Sequence, residues 1–167
     1  PNNPQLVGGV STPDWARDVA VAGSFAFVAD YLSGLQVIDI SDPEGPWIVS
    51  SLDVPDDIAT GVAVASDHVY LAGNDSLRVI DVSDPASPQP RGSVKIRDRA
   101  DSVVIVGNLA YVACQSYDVH VIEISDPQHP TEIGLINAAA AYGVDVVDDV
   151  AYVAAQNAGL QTFAVTD

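Results

Sequence analysis

Leu35–Pro43 reads LQVIDISDP, Leu77–Pro85 reads LRVIDVSDP and Val119–Pro127 reads VHVIEISDP, one pattern that returns at a constant spacing. A second proline follows each first one at the third position on, at Pro46, Pro88 and Pro130. A fixed period of about 42 residues is the mark of a repeat architecture and has to be read before any single element. A weaker fourth copy, Leu160 to Val165 (LQTFAV), replaces the V-I-D core of the pattern with Thr162-Phe163-Ala164.

Upstream of each copy lies a pair of apolar runs joined by two small or polar residues: VAVAGSFAFVA from Val19, VAVASDHVYLA from Val62, VVIVGNLAYVA from Val103 and VDVVDDVAYVA from Val144. The central pairs Gly23-Ser24, Ser66-Asp67, Gly107-Asn108 and Asp148-Asp149 have the chemistry of two-residue hairpin turns. The second half of each hairpin is apolar on both faces, with Phe27, Tyr70, Tyr111 and Tyr152 on one side and Val28, Leu71, Val112 and Val153 on the other. A strand with no polar face is covered on both sides, so each sheet is expected to sit between two others.

A further short run closes each repeat, around Leu6-Val7, Ile48-Val49, Ser93-Val94 and Ile133-Gly134-Leu135, giving four strands per repeat. Four-stranded antiparallel sheets at this period define an all-β fold, a β-propeller of four repeats, with approximate bounds 11–52, 53–94, 95–136 and 137–167 plus 1–10. A parallel β-solenoid fits less well, because its coils are shorter and contain no hairpin. Read from its end into its beginning, the chain gives T-D-P-N-N-P, which matches the internal S-D-P turns. The first strand, Gln5 to Val10, is therefore expected to complete the last repeat and close a ring. The same junction arises when repeats are cut from a longer array, so the number of sheets in the ring stays open.

Composition narrows the chemistry. The 167 residues are 48% hydrophobic, enough for a sizeable core. They carry 23 acidic against 6 basic residues, a net charge of -17. Such a charge repels a phosphate backbone and an anionic lipid surface, which argues against nucleic-acid partners and membrane insertion. No apolar run is long enough to span a bilayer, and no signal-peptide pattern is present. The chain looks excised from something longer. Cys114 is the single cysteine, so it has no partner in the chain for a disulfide, and its place inside a strand run makes it a small buried apolar residue.

The segments LQVIDISDP, LRVIDVSDP and HVIEISDP, each preceded by an A-F-V-A, V-Y-L-A or A-Y-V-A run, resemble the LVIVD repeat. The resemblance covers the whole chain four times over, with the fourth copy departing from the pattern. It implies a β-propeller of a secreted or cell-surface protein, hence an extracellular or cell-surface location, and it implies no assigned activity.

In a propeller the loop entering each first strand and the loop between the second and third strands share one face. That face gathers Asp14, Trp15 and Arg17; Asp30 and Tyr31; Asp56, Asp57 and Asn74; Arg97, Asp98, Arg99 and Asp101; Gln115, Tyr117 and Asp118; and Tyr142. Aromatic faces among carboxylates and amides suit stacking and hydrogen bonding to a glycan or a peptide. Trp15, Arg17, Tyr31, Asp57, Arg97, Arg99, Tyr117 and Tyr142 are accordingly the candidate ligand-binding residues. Packing over neighbouring sheets is the competing role for the same side chains. On the opposite face Asp42, Asp84 and Asp126 repeat near other carboxylates and are weak candidates for calcium, which takes six to eight oxygens. Asp before Pro is also what a turn selects, and no Asp-x-Asp-x-Asp-Gly loop occurs.

His68, His120 and His129 fall in unrelated positions, no G-x-S-x-G motif occurs, and no convergent His or Cys set is present for a catalytic metal. The expectation is a non-enzymatic binding or scaffolding module with a protein, peptide or glycan ligand and no resident cofactor. Self-assembly of the chain into a larger ring or filament is the alternative. A carboxylate-based hydrolase or lactonase resting on Asp18 and Asp145 comes third.

Overall fold

The computed structural model describes residues 3–55, 57–96, 98–116 and 118–165. Four antiparallel sheets follow one another along the chain. The first is β1 (Asp18–Ala22), β2 (Phe25–Ala29), β3 (Leu35–Asp39) and β4 (Trp47–Leu52), and the second is β5 (Gly61–Ala65), β6 (His68–Ala72), β7 (Ser76–Asp81) and β8 (Gln89–Lys95). The third is β9 (Ala100–Val106), β10 (Leu109–Cys114), β11 (Asp118–Glu123) and β12 (Thr131–Asn137). The fourth holds three strands, β13 (Ala141–Val147), β14 (Val150–Ala155) and β15 (Gly159–Ala164), the last two joined by a 3-10 turn, Gln156–Ala158. Each sheet is ordered as the chain runs, an uncrossed meander. Among the described residues no helix is long and apolar enough to cross a membrane.

The hairpin turns fall where the small residues lie. Ala22 pairs with Phe25, Ala65 with His68, Val106 with Leu109 and Val147 with Val150, leaving two residues in each turn. Gly23, Ser66, Gly107 and Asp148 all have positive φ at the first turn position, as the right-handed twist of the flanking strands requires. The second turn residue also accepts a bond from the third strand's end: Ile40 N to Ser24 O at 2.9 Å, Val82 N to Asp67 O at 2.8 Å, Ile124 N to Asn108 O at 2.8 Å and Val165 N to Asp149 O at 2.9 Å. The fourth repeat keeps this bond although its sequence has drifted.

The sheets pack face to face. Phe27, Leu35 and Val37 of the first cluster with Val62, Val69, Leu71 and Ile80 of the second. Tyr70, Leu77 and Val79 cluster with Val103, Ala110, Val112 and Ile122, and Tyr111 and Val119 with Ala141 and Val153. The leading strands β1, β5, β9 and β13 pack in succession, while β13 has no comparable packing with β1. The described residues therefore form an open arc.

The N-terminal segment departs from expectation. Residues 4–12 carry no strand, and β15 pairs with β14 alone, so Gln5 to Val10 does not complete the last sheet. The segment lies instead against the first sheet, where Gly8 is so close to the carbonyls of Pro43 and Glu44 that a Cβ would have no room. Thr12 Oγ1 donates to Asp30 at 2.7 Å and Asp14 N donates to its second oxygen at 3.0 Å, which fixes the segment to the buried Asp30 carboxylate.

Gly107 sits in its turn at φ +58, and a Cβ added there would meet nothing within 4 Å. Gly107→Ala is therefore expected to cost the backbone term alone, about 1–2 kcal/mol, read as a lower denaturant midpoint at constant slope. An unchanged midpoint would mean that the turn does not hold this conformation.

Candidate functional site

The face carrying the first-strand entry loops and the loops between second and third strands is built on a repeated carboxylate. Asp14 Oδ2 accepts from Leu32 N at 3.1 Å, Asp57 Oδ1 from Asn74 N at 2.7 Å, and Asp98 Oδ2 from Ser116 N at 2.7 Å. In each case an entry-loop Asp ties down the neighbouring loop of its own sheet. Asp57 goes furthest: it also accepts from Ile58 N at 2.8 Å and Ser76 Oγ at 2.7 Å and meets Arg78 at 3.3 Å, its side chain only 2% exposed. Burial alone would raise the Asp57 pKa, but these donors and the Arg78 charge together hold it below its ordinary 3.8. At the corresponding place in the fourth repeat stands Ala139, whose backbone N donates to Gln161 Oε1 at 3.3 Å.

The other predicted residues sort differently. Trp15 and Tyr31 stack, with ring centroids 5.7 Å apart and planes at 23°. Trp15 remains 68% exposed. Tyr31 has φ 44, a left-handed conformation costly for an aromatic residue, and two backbone bonds with Ala59 of the next sheet's loop, at 3.1 and 2.8 Å, hold it there. Beside this pair opens a groove of about 570 Å³ lined by Tyr31, Leu32, Val54, Pro55, Ile58 and Asn74, with Asp57 also in its wall. Arg17 is exposed on the loop that enters β1.

Arg99 faces Asp101 at 3.3 Å without hydrogen-bond geometry, and Gln115 donates to the other Asp101 oxygen. Tyr142 lies within β13 and not in the loop before it, at the bulge between Ala141 and Gly143, on the sheet farthest along the arc from Trp15. Arg97 and Tyr117 lie outside the described residues, as does Asp56. A larger groove of about 830 Å³ between β8 and β11–β12 is lined by Lys95, Asp98, Asp118, His120 and Glu132, of which all but Asp118 have the partners that follow. His120 Nδ1 sits 3.0 Å from Glu132, Ser116 binds Asp98, and Lys95 reaches Asp75 at 3.7 Å.

On the opposite face the S-D-P carboxylates close their own turns. Asp42 accepts from Glu44 N at 3.0 Å, Asp84 from Ala86 N at 3.1 Å and Asp126 from Gln128 N at 2.9 Å. The acidic residue two positions before each Ser does the same, Asp39 to Ser41 N, Asp81 to Ser83 N and Glu123 to Ser125 N. Bonds from the following Ser lower the pKa of Asp39, Asp81 and Glu123, with Arg91 adding to the effect on Asp81. Among the described residues no group of three His, Cys, Asp or Glu side chains is arranged to hold a metal ion.

Asp18 and Asp145 stand on the first and last sheets, and each accepts a backbone N–H, Asp18 from Val19 and Val62 and Asp145 from Val146. Cys114 is buried, and burial, followed by the charges of Asp98 and Asp101, pushes its thiol up to about 12, so it stays protonated and inert.

The LVIVD repeat model matches residues 15–54, 57–95 and 98–138, and the chain belongs to the LVIVD repeat family. The match stops before the drifted fourth copy. No curated protein matches the chain. Among solved structures, the computationally designed Ika4 protein is similar over 98% of this chain and 99% of its own, with a TM-score of 0.78 at 11% identity. The computationally designed Ika8 protein is similar over 89% of this chain and 45% of its own, TM-score 0.73 and 11% identity. A chain of the mitotic checkpoint complex is similar over 91% of this chain and 49% of its own, TM-score 0.77 and 11% identity. The chain thus spans less than half the length of two of these three. At such identities the likeness is one of fold: an all-β, propeller-like array of antiparallel sheets.

Asp57 carries a stability test. A carboxylate held below 3.8 when folded contributes fully above that pH and loses its contribution as pH falls through the folded value. Asp57→Asn is expected to lose about 1–3 kcal/mol at neutral pH, and its deficit against the unmodified chain should shrink as pH drops below 3.8. Denaturant unfolding of both at several pH values checks this; a deficit independent of pH would mean that the charge plays no part.

Proposed function

We propose that the chain is a non-enzymatic binding and scaffolding module of a β-propeller, with its ligand held on the Trp15–Tyr31 platform and in the adjoining groove. The observation that carries this reading is the exposed stacked pair. A tryptophan left two-thirds in water, stacked on a tyrosine locked in a costly backbone conformation, is a rigid apolar surface bordered by the Asn74 amide. Such a surface suits the flat face of a sugar ring or a proline or aliphatic side chain of a peptide. The net charge of -17 favours a ligand that is neutral or cationic.

The carboxylates of the same face support a binding role over a catalytic one. Asp14, Asp57 and Asp98 are already committed to loop amides, and Asp18 and Asp145 sit on different sheets. The family resemblance and the acidic surface fit a place outside the cell or on its surface.

Calorimetric titration with uncharged glycans and with neutral and basic peptides tests the proposal. Trp15→Ala is expected to weaken binding about tenfold or more, a loss of ~1.4 kcal/mol, with the thermal midpoint unchanged, and Tyr31→Ala to weaken it as well. Binding that survives both substitutions would place the ligand elsewhere.

A further inference from the structure

The two ends of the arc expose faces that every internal junction buries. Tyr152 corresponds to Tyr111 one repeat earlier, yet it is 40% exposed against 3%. Leu160 corresponds to Leu77 two repeats earlier and is 69% exposed against 0%. At the other end Val19 is 57% exposed, while its counterpart Val62 is at 4%. Val21 is also uncovered, at 59%. One end thus presents the aromatic face of an internal junction, and the other presents the valine face that receives it.

The outer strands repeat the same mismatch. Ser50 of β4 donates to Pro85 O of the next sheet at 2.6 Å. Gly92 of β8, one full repeat further on, stands against Pro127 O so closely that a Cβ would come within 2.5 Å. Gly8, one full repeat before Ser50, stands in the same way against Pro43 O. Residues 4–10 therefore occupy the place of an outer strand belonging to a sheet that would precede the first. The fourth sheet has three strands and lacks such an outer strand.

We propose that a second copy of this chain occupies both ends: the Tyr152–Leu160 face of each copy packs on the Val19–Val21 face of the other, and residues 4–10 of each pair with β15 of the other. Two copies related by a twofold axis make two identical junctions and close a ring of eight four-stranded sheets with no free edge. The internal register fixes the pairing. Gln36 lies opposite Ser51 and Arg78 opposite Ser93, so Gln161 of one copy lies opposite Gly9 of the other. The junction also brings Tyr142 of one copy towards the loop of Arg17 in the other, since these residues occupy equivalent positions at the head of adjacent first strands.

Light scattering on the 167-residue chain is expected to give twice its mass of 17.4 kDa, constant over a hundredfold range of concentration. Tyr152→Asp and Val19→Asp, each at a position exposed in the single arc, should each halve that mass with the β-sheet circular dichroism retained. The double variant Gly9→Cys with Gln161→Cys should form disulfide-linked dimers on oxidation. A monomer at every concentration, a disulfide formed within one chain, a dimer surviving both charge substitutions, or growth without limit beyond two chains would each overturn the proposal.

Discussion

A sheet that is apolar on both faces cannot stand in water alone, and this constraint governs the molecule. Phe27, Tyr70 and Tyr111 each pack with Val and Ala of the next sheet, joined by Ile80 and Ile122 at the first two junctions. Fully burying one such ring is worth about 1.5–3 kcal/mol, and three successive junctions supply the cooperative core that no single meander could hold. The constraint leaves the edges to polar chemistry. Strands buried on both faces have only their ends in water, so the carboxylates of the motif gather at the two rims.

The rims divide the carboxylates between two structural duties. On one rim the S-D-P turns use Asp42, Asp84 and Asp126 to cap backbone amides, and on the other Asp14, Asp57 and Asp98 tie loop to loop. Both duties use these carboxylates as acceptors for backbone amides. A net charge of -17 is then partly a by-product of repetition, since each repeat brings its own set of turn-closing acids. The side chains that the repeat does not dictate, Trp15 and Tyr31 among them, form the proposed platform.

That distinction also explains how much could be read from the sequence. The strands, the two-residue turns and the order within each sheet were legible because the recurring S-D-P period fixes them several times over. The loop-tying bond of Asp57 was legible in principle as well, because Asp14, Asp57 and Asp98 recur at the repeat spacing. Trp15 has Ile58, Arg99 and Ala140 at its equivalent positions, and Tyr31 has Gln115 and Gln156 at its equivalents in the third and fourth sheets. Those departures from the repeat are what the proposed platform is built from. Neither the stacking of the pair nor the left-handed backbone of Tyr31 could be deduced, because both depend on how the next sheet's Ala59 approaches. The place of residues 4–10 escaped for a similar reason: the motif puts them at an outer-strand position, but only the packing of Gly8 on Pro43 shows which sheet they lie against.

The fourth repeat sharpens the argument about the ends. Its sequence has drifted at Thr162-Phe163-Ala164 and at Ala139, where the repeat's loop-tying Asp is missing, so it has not been held to the internal pattern throughout. Yet Tyr152 and Leu160 retain the large apolar side chains of a buried junction on a face that the single arc leaves in water. Exposed side chains of that size, in the register of the internal clusters and beside a sheet lacking its outer strand, make physical sense as half of a junction. A surface meant to remain in solvent would gain solubility from any polar replacement at these positions and would lose no packing by it.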